Sequence, residues 1–187
     1  IGVLVGTTRF PRAYDHRQAE AAALLGAHAA ASIDAAVALS RERHSALTDS
    51  LTSLLNRRGF DEALERSLAL AQESRRPLSV VVLDCDDFKD VNDRAGHDFG
   101  DALLRELGIV LDRITASRAC AARLGGDEFA VILEGVDSED AQGGADSLLD
   151  ELRSGLADEG FPVHLSAGLA TYPYDGASPA QLKRSAD

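Results

Sequence analysis

The stretch Leu78–Leu83 (LSVVVL) is a continuous apolar run that ends at once in the acidic Asp84-Cys85-Asp86-Asp87. A run of this kind reads as a strand buried on both faces of a sheet, so helices must cover both sides. Three carboxylates then crowd the end of that strand, where their repulsion is costly unless a cation or a basic group compensates it. Asp84 and Asp86 share one face of the strand. The chain is therefore expected to be an α/β domain that carries its chemistry at one strand end.

The remaining elements follow from period and punctuation. The opening IGVLVGTTRF alternates like a strand, and the polar FPRAYDHRQAE leads from it into a long Ala-rich segment without proline. Ala22, Leu25, Ala29, Ile33, Ala36 and Ala46 or Leu47 recur there at helical spacing, which predicts one amphipathic helix over 15–47. Its narrow stripe suits a partner helix from a second copy. A second helix follows SLTSLLNRRGF, with Asp61 and Glu62 near its start and Arg75, Arg76 and Pro77 closing it. A helix over 100–114, a hairpin formed by CAARL, Gly125-Gly126 and EFAVIL, a helix over 138–156, a strand over 162–171 and a last helix capped by Ser178 complete the series. Together they predict a mixed central sheet flanked by helices.

Composition limits the function. With 45% hydrophobic and 27% charged residues the chain suits one soluble domain plus an appendage. No stretch approaches the roughly 20 uninterrupted apolar residues of a membrane span, and no signal pattern opens the chain, so a cytoplasmic protein without direct membrane contact is expected. The net charge of −12 argues against a nucleic-acid surface and leaves anionic ligands to be held locally through a metal. Cys85 and Cys120 form neither a disulfide framework nor a zinc pattern. The absence of methionine suggests a fragment of something longer, or a chain that has lost its first residue.

A second acidic pair, Asp127 and Glu128, follows Gly125-Gly126 directly, so a hairpin beside the first strand would let Asp84 and Asp127 converge on one ion. Hard carboxylate oxygens favour magnesium over zinc. The turn glycines leave room for a backbone to approach a triphosphate. Lys89 offers a cation for phosphates, and the amide of Asn92 with the carboxylate of Asp101 matches the acceptor and donor edge of guanine.

The segments DSLTSLLNRRGF at 49–60, LDCDDFKDVND at 83–93, AGHDFGD at 95–101, LGGDEF at 124–129 and LSAGLATYP at 165–173 resemble the signature segments of the GGDEF diguanylate cyclase family. The resemblance implies a nucleotidyl-cyclase-like fold over 48–187 that condenses two GTP into cyclic di-GMP with release of pyrophosphate. It assigns metal to Asp84, the Cys85 carbonyl, Asp127 and Glu128, with two magnesium ions per site, manganese being possible. Asp127 and Glu128 become the catalytic residues, Glu128 helping to activate the 3′-hydroxyl. Leu54, Phe88, Lys89, Asn92, Asp101, Gly125 and Gly126 become substrate-binding residues, although Leu54 and Phe88 read equally as ordinary core. Asp86 is expected to cap a turn or pair with Arg94, Arg57 and Arg58 to be structural, and His97 to brace its loop.

The same resemblance makes the enzyme a homodimer, joined through the N-terminal helix as a coiled-coil stalk and across facing active sites. Residues 1–14 resemble the end of a GAF sensor domain, so the upstream part is expected to control the cyclase. The family's R-x-x-D product site is replaced by Ala116 and Ala119, with Arg113 and Arg118 out of register, and Ser53 stands where LTGL has glycine. The family's last helix, with its phosphate-binding lysine and arginine, is missing after Asp187. The alternative is a catalytically silent domain that binds GTP or cyclic di-GMP and regulates a partner. A purely structural dimerisation module would leave the acidic cluster without a reason.

Overall fold

The structure is a computed structural model and describes residues 16–115, 119–136, 138–161 and 163–187. The strand expected at the N-terminus, with its GAF-like assignment, lies outside the described residues, as do Ala116, Arg118 and Pro162. The elements in order are α1 His16–Leu47, α2 Arg57–Ser74, β1 Leu78–Cys85, α3 Phe88–Ala95, α4 His97–Thr115, β2 Ala119–Gly125, β3 Glu128–Glu134, α5 Ser138–Asp158, β4 Leu165–Tyr172 and α6 Pro179–Ala186. The chain divides into two units, 1–44 and 45–187.

In the first unit the described residues form most of α1. Alanine supplies helix propensity, and Leu24, Leu25, Ile33, Val37 and Leu39 remain exposed on it. Over an 18-residue window α1 reaches a mean hydropathy of 1.6, long and apolar enough by length and composition to cross a membrane. A count of uninterrupted apolar residues passes over this candidate because Glu20 and Asp34 interrupt the helix.

The second unit is a four-stranded sheet in the order β2-β3-β1-β4. Its neighbouring strands pair antiparallel throughout. The mixed character expected from the sequence is confined, among the described residues, to one parallel bridge between Leu55 and Ala122. Alternation along the strands sends side chains to two faces. Val81, Leu83, Cys85, Phe129 and Val131 pack with α4 and α5, while Val80, Ala130, Ile132 and Ala170 pack with α2 and α6. Both faces are thus covered, as the run Leu78–Leu83 requires.

The junction between α1 and α2 is tight. Asn56 caps α2 by accepting from the Gly59 N–H at 2.9 Å, and its amide donates back to the carbonyls of Ala46 and Thr48. A side chain on Gly59 would collide with the Leu47 carbonyl. Ser53 lies in this junction with φ +63°, a left-handed conformation that glycine adopts without steric penalty. That explains the glycine of the family motif, and serine here carries the strain.

Gly168 marks where α6 seats on β4, since a Cβ there would fall on the Ala186 carbonyl. Gly168→Ala should therefore lift α6 and lower stability by about 1–3 kcal/mol. Denaturant unfolding together with amide exchange over 179–186 measures this, and wild-type values for both would show that the close approach does not exist.

Candidate active site

The site stands where β1 runs out. Asp84 is the cross-strand partner of Glu128 on β3, so the two carboxylates project from the same face of the sheet. They line a cleft of about 410 Å³ with Val82, Ser166, Gly168 and Ala186. Asp127 belongs to the turn between β2 and β3. A larger cleft of about 550 Å³, bordered by Ser67, Leu70, Pro77 and Glu134, holds none of the site residues.

Crowding is visible in the acidities. Desolvation and the nearby charges of Asp127, Glu128 and Asp86 all raise the pKa of Asp84 above its ordinary value. Burial, reinforced by Asp127, Asp84 and Asp86, pushes the Cys85 thiol up to about 12. That thiol is 2% exposed and packs in the core beneath α4 and α5, so only the backbone of Cys85 can serve an ion. Asp86 accepts from the Ser166 hydroxyl at 2.7 Å, and Arg94 pairs with Asp90, so the expected pairing of Asp86 with Arg94 does not form.

Glu128 accepts from Arg57 Nη2 at 3.2 Å, and Arg57 Nε donates to the Leu124 carbonyl at 2.9 Å. This pair is 61% and 43% exposed, so it is worth no more than about 1 kcal/mol and leaves Glu128 free to turn to a cation. Among the described residues no group of three His, Cys, Asp or Glu side chains is close enough to hold an ion on its own. Magnesium does not need one: it keeps several waters and binds through one or two carboxylates together with substrate phosphates. An open pair of hard oxygens whose mutual repulsion a cation would relieve fits that ion.

The turn above the pair is open. Gly125 and Gly126 have φ +144° and +58°, and a Cβ on either would meet nothing within 4 Å. Their glycine character therefore comes from backbone conformation and not from packing inside the domain.

A second group of expected site residues stands where α3 packs against α4. Asn92 on α3 lies over Gly100 on α4, with the Phe88 ring beside it, and any side chain on Gly100 would collide with the Asn92 carbonyl oxygen. That oxygen is buried and lacks a hydrogen-bond partner among the described residues, which is the condition of a polar atom awaiting a ligand. Asp101, the next residue of α4, is half exposed and 3.7 Å from Arg105. Asn92 and Phe88 thus meet at Gly100, and Asp101 follows it in α4. Leu54 is 5% exposed and belongs to the core cluster that contains Leu103 and Leu104, with Phe88 packed against that cluster. Lys89 is exposed on α3, and His97 opens α4.

The family described as "Diguanylate cyclase, GGDEF domain" matches residues 46–187. The chain belongs to the GGDEF family. It is 40% identical over 148 residues to the diguanylate cyclase TpbB of Pseudomonas aeruginosa, which covers 77% of this chain and 34% of that protein. The chain thus spans about a third of the length of that relative. A solved structure of the GGDEF domain of PA1120 (TpbB or YfiN) from Pseudomonas aeruginosa is 38% identical, covers 75% of this chain and 84% of that one, and superposes with a TM-score of 0.65. The coiled coil and GGDEF domain of DgcB from Caulobacter crescentus, solved in complex with c-di-GMP, is 30% identical, covers 87% and 88%, and reaches a TM-score of 0.73.

Two features of this GGDEF site escape a reading of residues alone. The exit from α1 holds the hairpin through Asp49 and Arg123, and Gly100 makes room for Asn92. Arg123 stood in the sequence as a charge inside an otherwise apolar strand, which is the one signal that could have drawn attention to it.

The raised pKa of Asp84 has a sign. Between the ordinary value of 3.8 and the folded value the native state holds more protons, so stability falls as pH rises through that window and the penalty persists at neutral pH. Asp84→Asn should therefore raise the melting temperature at pH 7 in magnesium-free buffer, and the gain should vanish near pH 3. A variant that melts lower than wild type at pH 7 would show that the cluster is not repulsive.

Proposed function

We propose that this chain is the catalytic part of a diguanylate cyclase, which condenses two molecules of GTP into cyclic di-GMP and releases pyrophosphate. The observation that carries the reading is the pairing of Asp84 with Glu128 across β1 and β3 beside an open glycine turn, together with the buried Asn92 Oδ1 on α3, which has no hydrogen-bond partner among the described residues. Asn92 and Asp101 hold the guanine by its polar edge against Phe88, with Leu54 beneath. Lys89, Gly125 and Gly126 face the sugar and phosphates. Asp84, the Cys85 carbonyl, Asp127 and Glu128 would hold two magnesium ions, or manganese, whose charge would neutralise the phosphates and acidify the 3′-hydroxyl. Glu128 helps take up that hydroxyl proton as the 3′-oxygen attacks the α-phosphorus of the facing GTP.

Each domain presents one nucleotide, so two copies must face each other, and their proximity supplies much of the rate. The exposed Leu25, Ile33 and Val37 of α1 suit a parallel stalk between two copies, as the DgcB coiled coil suggests. Asp34 within α1 would cost roughly 2.5–3.5 kcal/mol at a bilayer centre, which favours a stalk over a membrane span. Upstream residues would then set the approach of the two domains. With Ala119 in place of an acidic residue, feedback through the family's product site is absent. A reaction that draws on GTP places this part of the protein in the cytoplasm.

The full-length protein with GTP and magnesium should yield cyclic di-GMP on chromatography, and Asp127→Ala should lower the rate on the order of 100-fold or more. Nucleotide binding and dimerisation without product would instead establish the regulatory, non-catalytic alternative.

A further inference from the structure

The turn that carries Asp127 is made of two glycines with positive φ, which by themselves leave its peptide planes free to rotate. One side chain removes that freedom. Arg123 donates from Nε at 3.0 Å and from Nη2 at 2.7 Å to the same acceptor, the Gly126 carbonyl oxygen. Its third nitrogen, Nη1, donates at 3.1 Å to Asp49 Oδ1. That oxygen also accepts from the Thr52 N–H at 3.0 Å, the Thr52 hydroxyl at 2.9 Å and the Leu51 N–H at 3.2 Å. Arg123 is 14% exposed and Asp49 23% exposed, in contrast to the open ion pair of Arg57 with Glu128. A charge-assisted contact shielded in this way is among the stronger kinds.

The peptide that joins Gly126 to Asp127 is planar, so fixing its carbonyl also fixes its N–H on the opposite side and the point from which the Asp127 side chain departs. Asp49 lies two residues beyond the end of α1, which anchors the arginine to the entrance of the domain.

We propose that Arg123, held by Asp49, is the positioning residue of the glycine turn: it fixes the peptide before Asp127 and thereby the carboxylate that the reaction uses. The inference rests on the cyclase reading for its effect on rate, but its effect on the turn is independent of that reading. Lysine at 123 keeps the charge beside Asp49 yet cannot donate two bonds to one carbonyl.

The test compares wild type, Arg123→Lys, Asp49→Asn and the double variant in the full-length protein. Arg123→Lys should lower kcat on the order of 10- to 100-fold while KM for GTP stays within about twofold, because the misplacement concerns the reacting groups and not guanine binding. Asp49→Asn should move kcat the same way, and the double variant should lose little more than Arg123→Lys alone, since both act through one contact. Amide exchange over 124–128 should quicken in both single variants, with exchange over β1 unchanged. Wild-type exchange in the turn of Arg123→Lys, or of Asp49→Asn where the first variant does not fold, would overturn the inference whether or not the protein is a cyclase. Additive losses in the double variant would also overturn it. Failure of the wild type to make product would overturn the cyclase reading, and exchange would then decide this inference by itself.

Discussion

Repulsion among Asp84, Asp86, Asp127 and Glu128 is the constraint around which the domain is built. Burial first, and then the neighbouring charges of Asp127, Glu128 and Asp86, raise the pKa of Asp84, so the folded chain holds its ionised carboxylate there at a cost. What holds them is a sheet that cannot slip. Moving β1 by one residue against β3 would exchange its two buried faces and place Val80 and Val82 among the neighbours of α4 and α5. The register that sets Asp84 opposite Glu128 is therefore secured by apolar packing on both sides of the sheet, well away from the charges. The site borrows its stability from the core.

Much of this was legible in the residues, and the exceptions have physical reasons. The run Leu78–Leu83 announced a doubly covered strand, and Gly125-Gly126 between two apolar runs announced the hairpin. Helix α3 was not foreseen, because Phe88–Ala95 has no buried residue and no side-chain cap, and its start depends on Asp87 in a left-handed conformation. The antiparallel order of the whole sheet was also hidden, since burial on both faces gives an antiparallel strand the same pattern as a parallel one. Asn92 and Asp101 were singled out by residue type, whereas the close approach of Asn92 to Gly100 shows only in the structure.

Side chains that act through carbonyls are harder still to read. Arg57 and Arg123 grip the carbonyls of Leu124 and Gly126, and backbone acceptors leave no trace in a residue pattern. Both contacts lead to the segment that leaves α1, where Asn56, Asp49 and Thr52 form a compact junction. The glycine turn is thus tied to the entrance of the domain and not only to its own strands. That arrangement ties the turn bearing Asp127 to the segment that follows α1.

The central claim is that the crowded carboxylates at the end of β1 and β3 exist to hold a cation beside a nucleotide. The most direct measurement is a crystal structure of the protein with manganese and a non-hydrolysable GTP analogue, with anomalous scattering used to locate the metal. The account expects manganese between Asp84 and Glu128, with phosphate oxygens completing its shell and the guanine against Asn92 and Asp101. A bound analogue with no metal at these carboxylates, or with its base away from Asn92 and Asp101, would contradict it.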